Sequence, residues 1–170
     1  YDQVTSLILT ERPFKVVTNG NTYLADSVIL AMGANPRKLN IQGEAVFVGR
    51  GVSFCATCDG WFFKDKDIHV VGGGDSALEE ALFLTRFAKS VAIIHRRDQL
   101  RAGAILERRA RENPKISFLW DSVVKEIRGS KKVESLLVQN VKTGEQKEVS
   151  SEGVFIFIGH IPNTTLVADQ

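Results

Sequence analysis

Short apolar runs and alternating hydrophobic and polar positions predict mainly strands in the first part of this chain. Four strands are expected there, at residues 4–9, 14–18, 22–24 and 26–31. Asn19-Gly20-Asn21 is typical of a hairpin turn, because Asn and Gly tolerate positive φ. The run at 26–31 is apolar enough to predict a buried strand.

The middle of the chain changes to a strand–turn–helix–strand pattern. The apolar run 68–71 predicts a strand, and the glycine-rich stretch 72–77 predicts a tight turn that opens a helix. Apolar residues keep helical spacing over 76–88, and 91–94 is a second apolar strand. Together these elements predict a βαβ unit with parallel strands.

The last third combines one helix with further strands. A charged helix is expected over 101–111 and a strand over 116–120. Three alternating segments then predict an antiparallel meander, and 153–158 is a last buried strand; the meander segments are 122–128, 133–141 and 146–149. Residues 37–60 are interpreted as loops and a linker. The expected fold is α/β, a Rossmann-like three-layer nucleotide-binding domain with an antiparallel β-meander.

Composition narrows the class of protein. The 170 residues are 44% hydrophobic and 25% charged, which favours a packed domain and perhaps part of a second one. A net charge of +2 is too small to indicate nucleic-acid binding. No apolar run is long enough for a membrane helix. Two cysteines favour redox chemistry in a reducing cytoplasm over a disulfide-stapled scaffold. The chain begins without Met, and we interpret it as the middle of a longer protein.

The turn at 72–77 fits the glycine pattern of dinucleotide sites. Gly72 allows the turn, Gly74 allows close approach of a pyrophosphate, and Ala77 lets the helix pack on the strand. The phosphates would lie at the helix start, beside Gly73, Asp75 and Ser76. The alternative is a glycine-rich turn without a ligand.

The residues after the second strand indicate which nucleotide binds. NAD sites usually carry an acidic residue there, but this chain has His95, Arg96 and Arg97, with Arg101 four residues on. Adjacent guanidinium groups suit a 2′-phosphate, so we expect NADPH. The alternative is a solvated basic cluster that opens an Arg-rich helix.

Cys55 and Cys58 form a Cys-x-x-Cys motif that is followed at once by Asp59. This spacing favours disulfide exchange, and a neighbouring carboxylate suits proton transfer to and from the thiolates. A zinc site lacks further ligands, and so small a loop would stabilise little as a structural disulfide; two inert thiols remain an alternative. We expect no metal. For the aromatic residues 61–63 we favour packing over partner contact. His160 is a candidate base, but a loop histidine after the last strand is at least as good an interpretation, and we leave it out of the catalytic set.

Four motifs in the same order closely resemble the low-molecular-weight thioredoxin reductases. They are residues 49–60 around the dithiol, the glycine turn 71–81, the His95–Arg101 segment and the closing stretch 153–163. The resemblance implies a two-dinucleotide-domain, FAD/NAD(P)-binding flavoprotein fold, in a homodimeric enzyme. NADPH would reduce FAD, FAD would reduce the disulfide, and the dithiol would reduce thioredoxin.

The resemblance also implies roles for single residues. Cys58 would face the flavin, Cys55 would attack thioredoxin, and Asp59 would protonate the thiolate. The three arginines would hold the 2′-phosphate. The implied division is a remnant of the FAD domain at 1–35, an NADPH domain at 36–160 and a return toward the FAD domain at 161–170. The family's N-terminal glycine turn and C-terminal Gly-Asp motif have no counterpart here, and Met32 stands where the family has Thr. We therefore expect an internal fragment that is inactive alone and does not retain FAD.

Other functions stay open on the sequence. A reductase of a peroxiredoxin system would share the same core. A non-catalytic NADPH-binding module with a redox-sensing disulfide is a candidate from another class. A ferredoxin-linked relative is disfavoured by the three arginines.

Overall fold

The computed structural model describes residues 2–168, which divide into two compact units. One unit combines the described residues before Pro36 with those from His160 onward, and the other runs from Pro36 to Gly159. In the part of the chain that is described, no helix has the length and apolarity needed to cross a membrane.

The first unit contains a three-stranded antiparallel sheet of β1 (Val4–Ile8), β2 (Phe14–Thr18) and β3 (Thr22–Ala25). The predicted hairpin turn joins β2 to β3, and the Thr18 N–H donates to Asn21 O at 2.9 Å. The first three predicted strands are therefore confirmed. A two-stranded sheet joins β4 (Ala34–Pro36) to the strand His160–Pro162.

The fourth predicted strand, over residues 26–31, is wrong. Those residues form no strand, and the Ile29 side chain is 93% exposed. A strand needs a neighbour for its backbone hydrogen bonds, and this segment pairs with no other described strand. An apolar run alone did not reveal that absence.

The second unit holds a parallel sheet, three helices and a meander. Its elements in chain order are β5 (Val52–Ser53), α1 (Ala56–Asp59), a 3₁₀ turn (Gly60–Phe63), β6 (Asp67–Gly72), α2 (Asp75–Leu84), β7 (Ser90–Ile94), α3 (Ala104–Glu112), β8 (Ile116–Leu119), β9 (Ser122–Gly129), β10 (Val133–Asn140), β11 (Gln146–Ser150) and β12 (Val154–Phe157). The parallel sheet has the order β5-β12-β6-β7-β8, and the antiparallel meander has the order β11-β10-β9.

Alternation along the parallel strands produces three layers. Val70, Ile93 and Phe155 point to one face, where they pack with Leu78 of α2 and with other helix residues. The residues next to them point to the opposite face and pack against the meander; this second core includes Val71, Ile94, Ile156, Ile127 and Leu136. The predicted three-layer α/β fold is confirmed.

Some helix and strand bounds differ from those predicted. The helix expected at residue 101 starts at Ala104, because the preceding segment is held by the glycine turn. The region expected to be loops contains β5 and α1, both too short for a periodic signal. Cys55 lies between these two short elements, and Cys58 lies within α1.

Candidate functional site

The glycine turn lies where β6 ends and α2 begins. A Cβ on Gly72 would lie 2.4 Å from Phe157 O and 2.6 Å from the Ala77 Cβ, so this position excludes a side chain. A Cβ on Gly74 would meet no atom within 4 Å. No side chain caps the start of α2, and its first N–H groups are therefore left for a ligand. Open space at Gly74 and these N–H groups fit a pyrophosphate.

Gly73 is required by a neighbour that the sequence pattern did not reveal. A Cβ there would lie 2.2 Å from Nδ1 of His95, whose buried ring packs on the turn. Nε2 of His95 is 3.0 Å from Gln99 O. Burial is the main factor that lowers the pKa of His95, and Arg96 and Arg97 lower it further. A neutral histidine is thus fixed between the glycine turn and the arginine segment.

Backbone hydrogen bonds connect the arginine segment to the glycine turn. The Arg101 N–H donates to Gly73 O at 2.7 Å. Two residues later, the Gly103 N–H donates to Oδ1 of Asp75 at 2.7 Å. Residues 95–103 are therefore held against the start of α2, as a dinucleotide site requires.

The three predicted arginines are exposed, and none has a carboxylate partner among residues 2–168. The nearby Asp98 pairs instead with Lys142 at 3.0 Å, and this ammonium also lies 3.0 Å from Asp121. The hydrogen bond from Lys142 lowers the pKa of Asp98. Asp98 therefore does not neutralise Arg96 and Arg97, and their charge remains available for an anion.

The cysteine pair forms a disulfide on α1. The S–S distance is 2.02 Å and the Cα atoms are 5.3 Å apart. Cys58 is exposed, whereas Cys55 is half-buried. The Cys58 N–H lies 3.2 Å from Sγ of Cys55, so Cys55 caps the short helix.

Ser53 connects the disulfide to the predicted acid. Its buried hydroxyl donates to Oδ2 of Asp59 at 2.6 Å and accepts from the Cys55 N–H at 3.1 Å. Ser53 was missed in the sequence, where a serine two residues before a cysteine carries no specific signal. The Ser53 hydroxyl therefore connects the Asp59 carboxylate to the backbone of Cys55.

The aromatic residues after the disulfide divide into two groups. Phe63 is buried against Phe155, with ring centroids 4.9 Å apart. Trp61 and Phe62 are 64% and 68% exposed. The packing interpretation is confirmed for Phe63, the one ring that the 3₁₀ turn buries in the core. The exposed Trp61 ring contacts Phe87 edge-on, with centroids 5.8 Å apart, and the function of the other exposed ring, Phe62, stays a prediction.

The structure offers little for metal binding. Within residues 2–168, no group of three or more His, Cys, Asp and Glu side chains is placed to hold a metal ion.

His69 is buried in β6 with Nδ1 2.9 Å from Oγ of Ser151. Burial lowers the pKa of His69 to about 4.

The second unit thus combines a glycine turn, which is bonded to an arginine segment, with a Cys-x-x-Cys disulfide. The family model described as pyridine nucleotide-disulphide oxidoreductase matches residues 1–170. The chain belongs to the pyridine nucleotide-disulphide oxidoreductase family. The family is named for a pyridine nucleotide and a disulfide, and the second unit contains the Cys55–Cys58 disulfide.

Individual relatives in this family are thioredoxin reductases. The chain is 54% identical to that of Rickettsia felis over 173 residues, or 99% of this chain and 56% of the relative. It is 54% identical to that of Streptomyces coelicolor over 153 residues, or 90% of this chain and 48% of the relative. The crystal structure of Lactococcus lactis thioredoxin reductase matches with a TM-score of 0.90 and 49% identity, over 99% of this chain and 56% of that one.

These comparisons confirm the predicted resemblance to the thioredoxin reductases and the fold. The chain spans about half the length of the curated relatives that it matches.

Proposed function

We propose that this chain is the NADPH-binding and disulfide-bearing part of a thioredoxin-disulfide reductase. The observation that carries the proposal is the backbone bond from Arg101 to Gly73, which attaches an unpaired arginine cluster to a glycine turn. That turn starts α2, and the disulfide helix α1 packs on the same helix. The similarity to thioredoxin reductases supports the same assignment.

The residues around the turn fit NADPH better than NADH. The pyrophosphate would bind at Gly74 and the first N–H groups of α2, near Asp75 and Ser76. Arg96, Arg97 and Arg101 would hold the 2′-phosphate by charge-assisted hydrogen bonds. Gly72, Gly73 and His95 would keep the turn in its shape. Among residues 2–168, no carboxylate forms an ion pair with these three arginines, and the nearby Asp98 pairs with Lys142 instead.

At the disulfide, the residues suit electron-pair acceptance followed by thiol exchange. NADPH and FAD, when bound, would supply the electron pair. Cleavage of the disulfide gives two thiolates, and protonation of one leaves a thiol and a thiolate. We assign that proton transfer to Asp59, and its hydrogen bond to Ser53 supports the assignment. We assign the flavin side to Cys58 and the attack on thioredoxin to Cys55, as the resemblance implies.

The same proposal covers the rest of the protein. Residues 36–160 form the NADPH domain, and residues 1–35 and 161–170 belong to a FAD domain. The full-length enzyme would be a cytoplasmic homodimer that acts on thioredoxin. Trp61 and Phe62 are exposed next to the disulfide and suit contact with a protein substrate.

Titration calorimetry of the purified chain with NADPH and with NADH tests the nucleotide assignment. We expect NADPH to bind at least about tenfold more tightly, because each charge-assisted hydrogen bond is worth about 1.5–3 kcal/mol. Equal affinity for the two nucleotides would contradict the role of the arginines. No binding of either nucleotide would contradict the assignment of the turn.

A further inference from the structure

The turn between β10 and β11 carries a lysine that binds two carboxylates at once. Nζ of Lys142 lies 3.0 Å from Oδ2 of Asp98 and 3.0 Å from Oδ2 of Asp121. Asp98 belongs to the segment that follows β7, and Asp121 belongs to the turn that follows β8. One ammonium group of the meander therefore joins the two segments that leave these parallel strands.

Backbone hydrogen bonds keep Lys142 in this place. The Val141 N–H, one residue earlier, donates to Asp121 O at 2.6 Å, and the Asp121 N–H donates to Arg97 O at 3.3 Å. The Lys142 N–H itself donates to Oδ1 of Asn140 at 2.9 Å, which orders the turn. The lysine is thus connected through backbone groups to the segment that contains the arginines.

The two carboxylates differ in exposure. The Asp121 side chain is 17% exposed, whereas the Asp98 side chain is 65% exposed. An exposed ion pair is screened by water and salt and is easily exchanged for another, but a shielded pair is less so. Asp121 therefore anchors the lysine, and Asp98 is the carboxylate that can change its partner.

The other cations available to Asp98 are its neighbours in the chain. Asp98 directly follows Arg96 and Arg97, whose exposed guanidinium groups form no ion pair with a carboxylate among residues 2–168. Without Lys142, Asp98 would pair with one of these arginines and would repel an approaching phosphate dianion. Lys142 thus decides whether this carboxylate opposes anion binding at the arginines.

We propose that Lys142 is a positioning residue for nucleotide specificity, which draws the Asp98 carboxylate away from the two adjacent arginines and leaves them free for a 2′-phosphate. The inference rests on the proposed function, because it assumes that the arginines bind this phosphate. Lys142 acts through Asp98 and not through contact with the nucleotide. The meander thereby contributes to a site that otherwise consists of the glycine turn and the segment after β7.

A double-mutant cycle at Lys142 and Asp98 tests the proposal, with NADPH and NADH affinities measured by calorimetry on the purified chain. Lys142→Met should weaken NADPH binding about fivefold, the effect of one exposed ion pair, and should leave NADH binding within about twofold. Asp98→Asn in the parent chain should change NADPH binding less than about twofold, because Lys142 already neutralises this carboxylate. In the Lys142→Met chain, Asp98→Asn should restore the parent affinity for NADPH.

Two results of the cycle would overturn the proposal. If Asp98→Asn has the same effect in the parent and in the Lys142→Met chain, the two residues are not coupled and the lysine acts only through its own charge. If Lys142→Met weakens NADPH and NADH binding equally, the lysine supports the conformation of the site and not its specificity.

Lys147→Met is the matched control. Lys147 is an exposed lysine of β11, in the same hairpin, and it forms no ion pair among residues 2–168. This variant should bind NADPH within about twofold of the parent value, and a loss equal to that of Lys142→Met would also overturn the proposal.

The parent chain alone tests the function on which the inference rests. Equal affinity of the parent for NADPH and NADH would contradict the assignment of the arginines, and the role of Lys142 with it. A preference of the parent for NADPH, without coupling between Lys142 and Asp98, would contradict the role of the lysine and leave the proposed function standing.

Discussion

The glycine turn and the disulfide helix both contact α2, but different groups hold them in place. At the glycine turn, backbone bonds and close contacts with Phe157 O and the His95 ring fix the conformation. At the disulfide, a side chain does so: the Ser53 hydroxyl donates to Asp59 and accepts from the Cys55 N–H. We therefore expect that the arginine charges can be removed without changing the conformation of the glycine turn. At the disulfide helix, polar side chains determine both the conformation and the chemistry.

The largest expected effect is a loss of folding stability in acid, because β6, the strand that leads into the glycine turn, carries a buried histidine. The pKa of His69 is about 4 in the folded chain and 6.5 ordinarily. The unfolded chain therefore binds the proton first, and stability present above pH 6.5 is lost as pH falls to 4. The loss amounts to about 3 kcal/mol.

Urea unfolding over this pH interval measures the loss. The His69→Gln variant should lose about 3 kcal/mol less than the parent chain between neutral pH and the lower end. The difference should persist in a Cys55→Ser, Cys58→Ser background, since no disulfide contact involves His69. Identical pH slopes with and without His69 would show that its buried neutral state contributes nothing.

Removal of the two adjacent guanidinium groups tests the claim that charge can be lost without loss of shape. Arg96→Ala, Arg97→Ala should weaken NADPH binding on the order of 50-fold, because charge-assisted hydrogen bonds to phosphate are lost. NADH affinity and the midpoint of urea unfolding should stay the same, as neither arginine has a carboxylate partner in the described chain.

Lys131→Ala, Lys132→Ala is the matched control for that experiment. It removes two exposed positive charges from the turn between β9 and β10. Its NADPH affinity, measured by calorimetry at one ionic strength, should remain within about twofold of the parent value. Equal losses of NADPH affinity in the two double variants would show that the arginines act only through the net charge of the chain.

Two neighbouring glycines distinguish shape from ligand contact within the turn. Gly73→Ala should destabilise the chain by about 2 kcal/mol, because its Cβ would overlap the His95 ring. Gly74→Ala should leave stability nearly unchanged but weaken NADPH binding, since the new methyl group enters the open space. Urea unfolding and calorimetry on both variants measure these effects. Equal stability of the two variants would contradict the contact with His95.

The smallest effect is expected at Ser53. Ser53→Ala leaves Asp59 and the Cys55 N–H without their shared hydroxyl, at a cost of about 1 kcal/mol. NADPH affinity should not change. Ser117→Ala, on the exposed face of β8, is the control and should unfold like the parent chain. A change in NADPH affinity in Ser53→Ala would show that the two regions are not held independently.

Strong periodic patterns predicted most of the fold. The β6–α2–β7 unit and the meander follow from apolar alternation and spacing, and the structure has them nearly as expected. The strand expected at 26–31 failed because strand formation depends on a pairing neighbour that local sequence does not report. The short α1 and β5 were missed because two to four residues carry no period.

At the candidate site, sequence predicted residue types better than contacts. The glycines, arginines and cysteines were found by motif, and their roles stay predictions. The requirement for Gly73 depends on a histidine 22 positions away, and Asp98 pairs with a lysine 44 positions away. Ser53 acts through its hydrogen bond to Asp59 on α1, which only the folded chain defines.

The proposed function depends most directly on electron exchange between the Cys55–Cys58 disulfide and thioredoxin. The chain is reduced, freed of small thiols and mixed with oxidised thioredoxin, and the thiols of both proteins are then counted by alkylation and mass spectrometry. One chain dithiol should be lost for each thioredoxin disulfide that is reduced. The Cys55→Ser variant should reduce no thioredoxin. Thioredoxin that stays oxidised beside the reduced chain, while dithiothreitol reduces it in a parallel sample, would contradict the account.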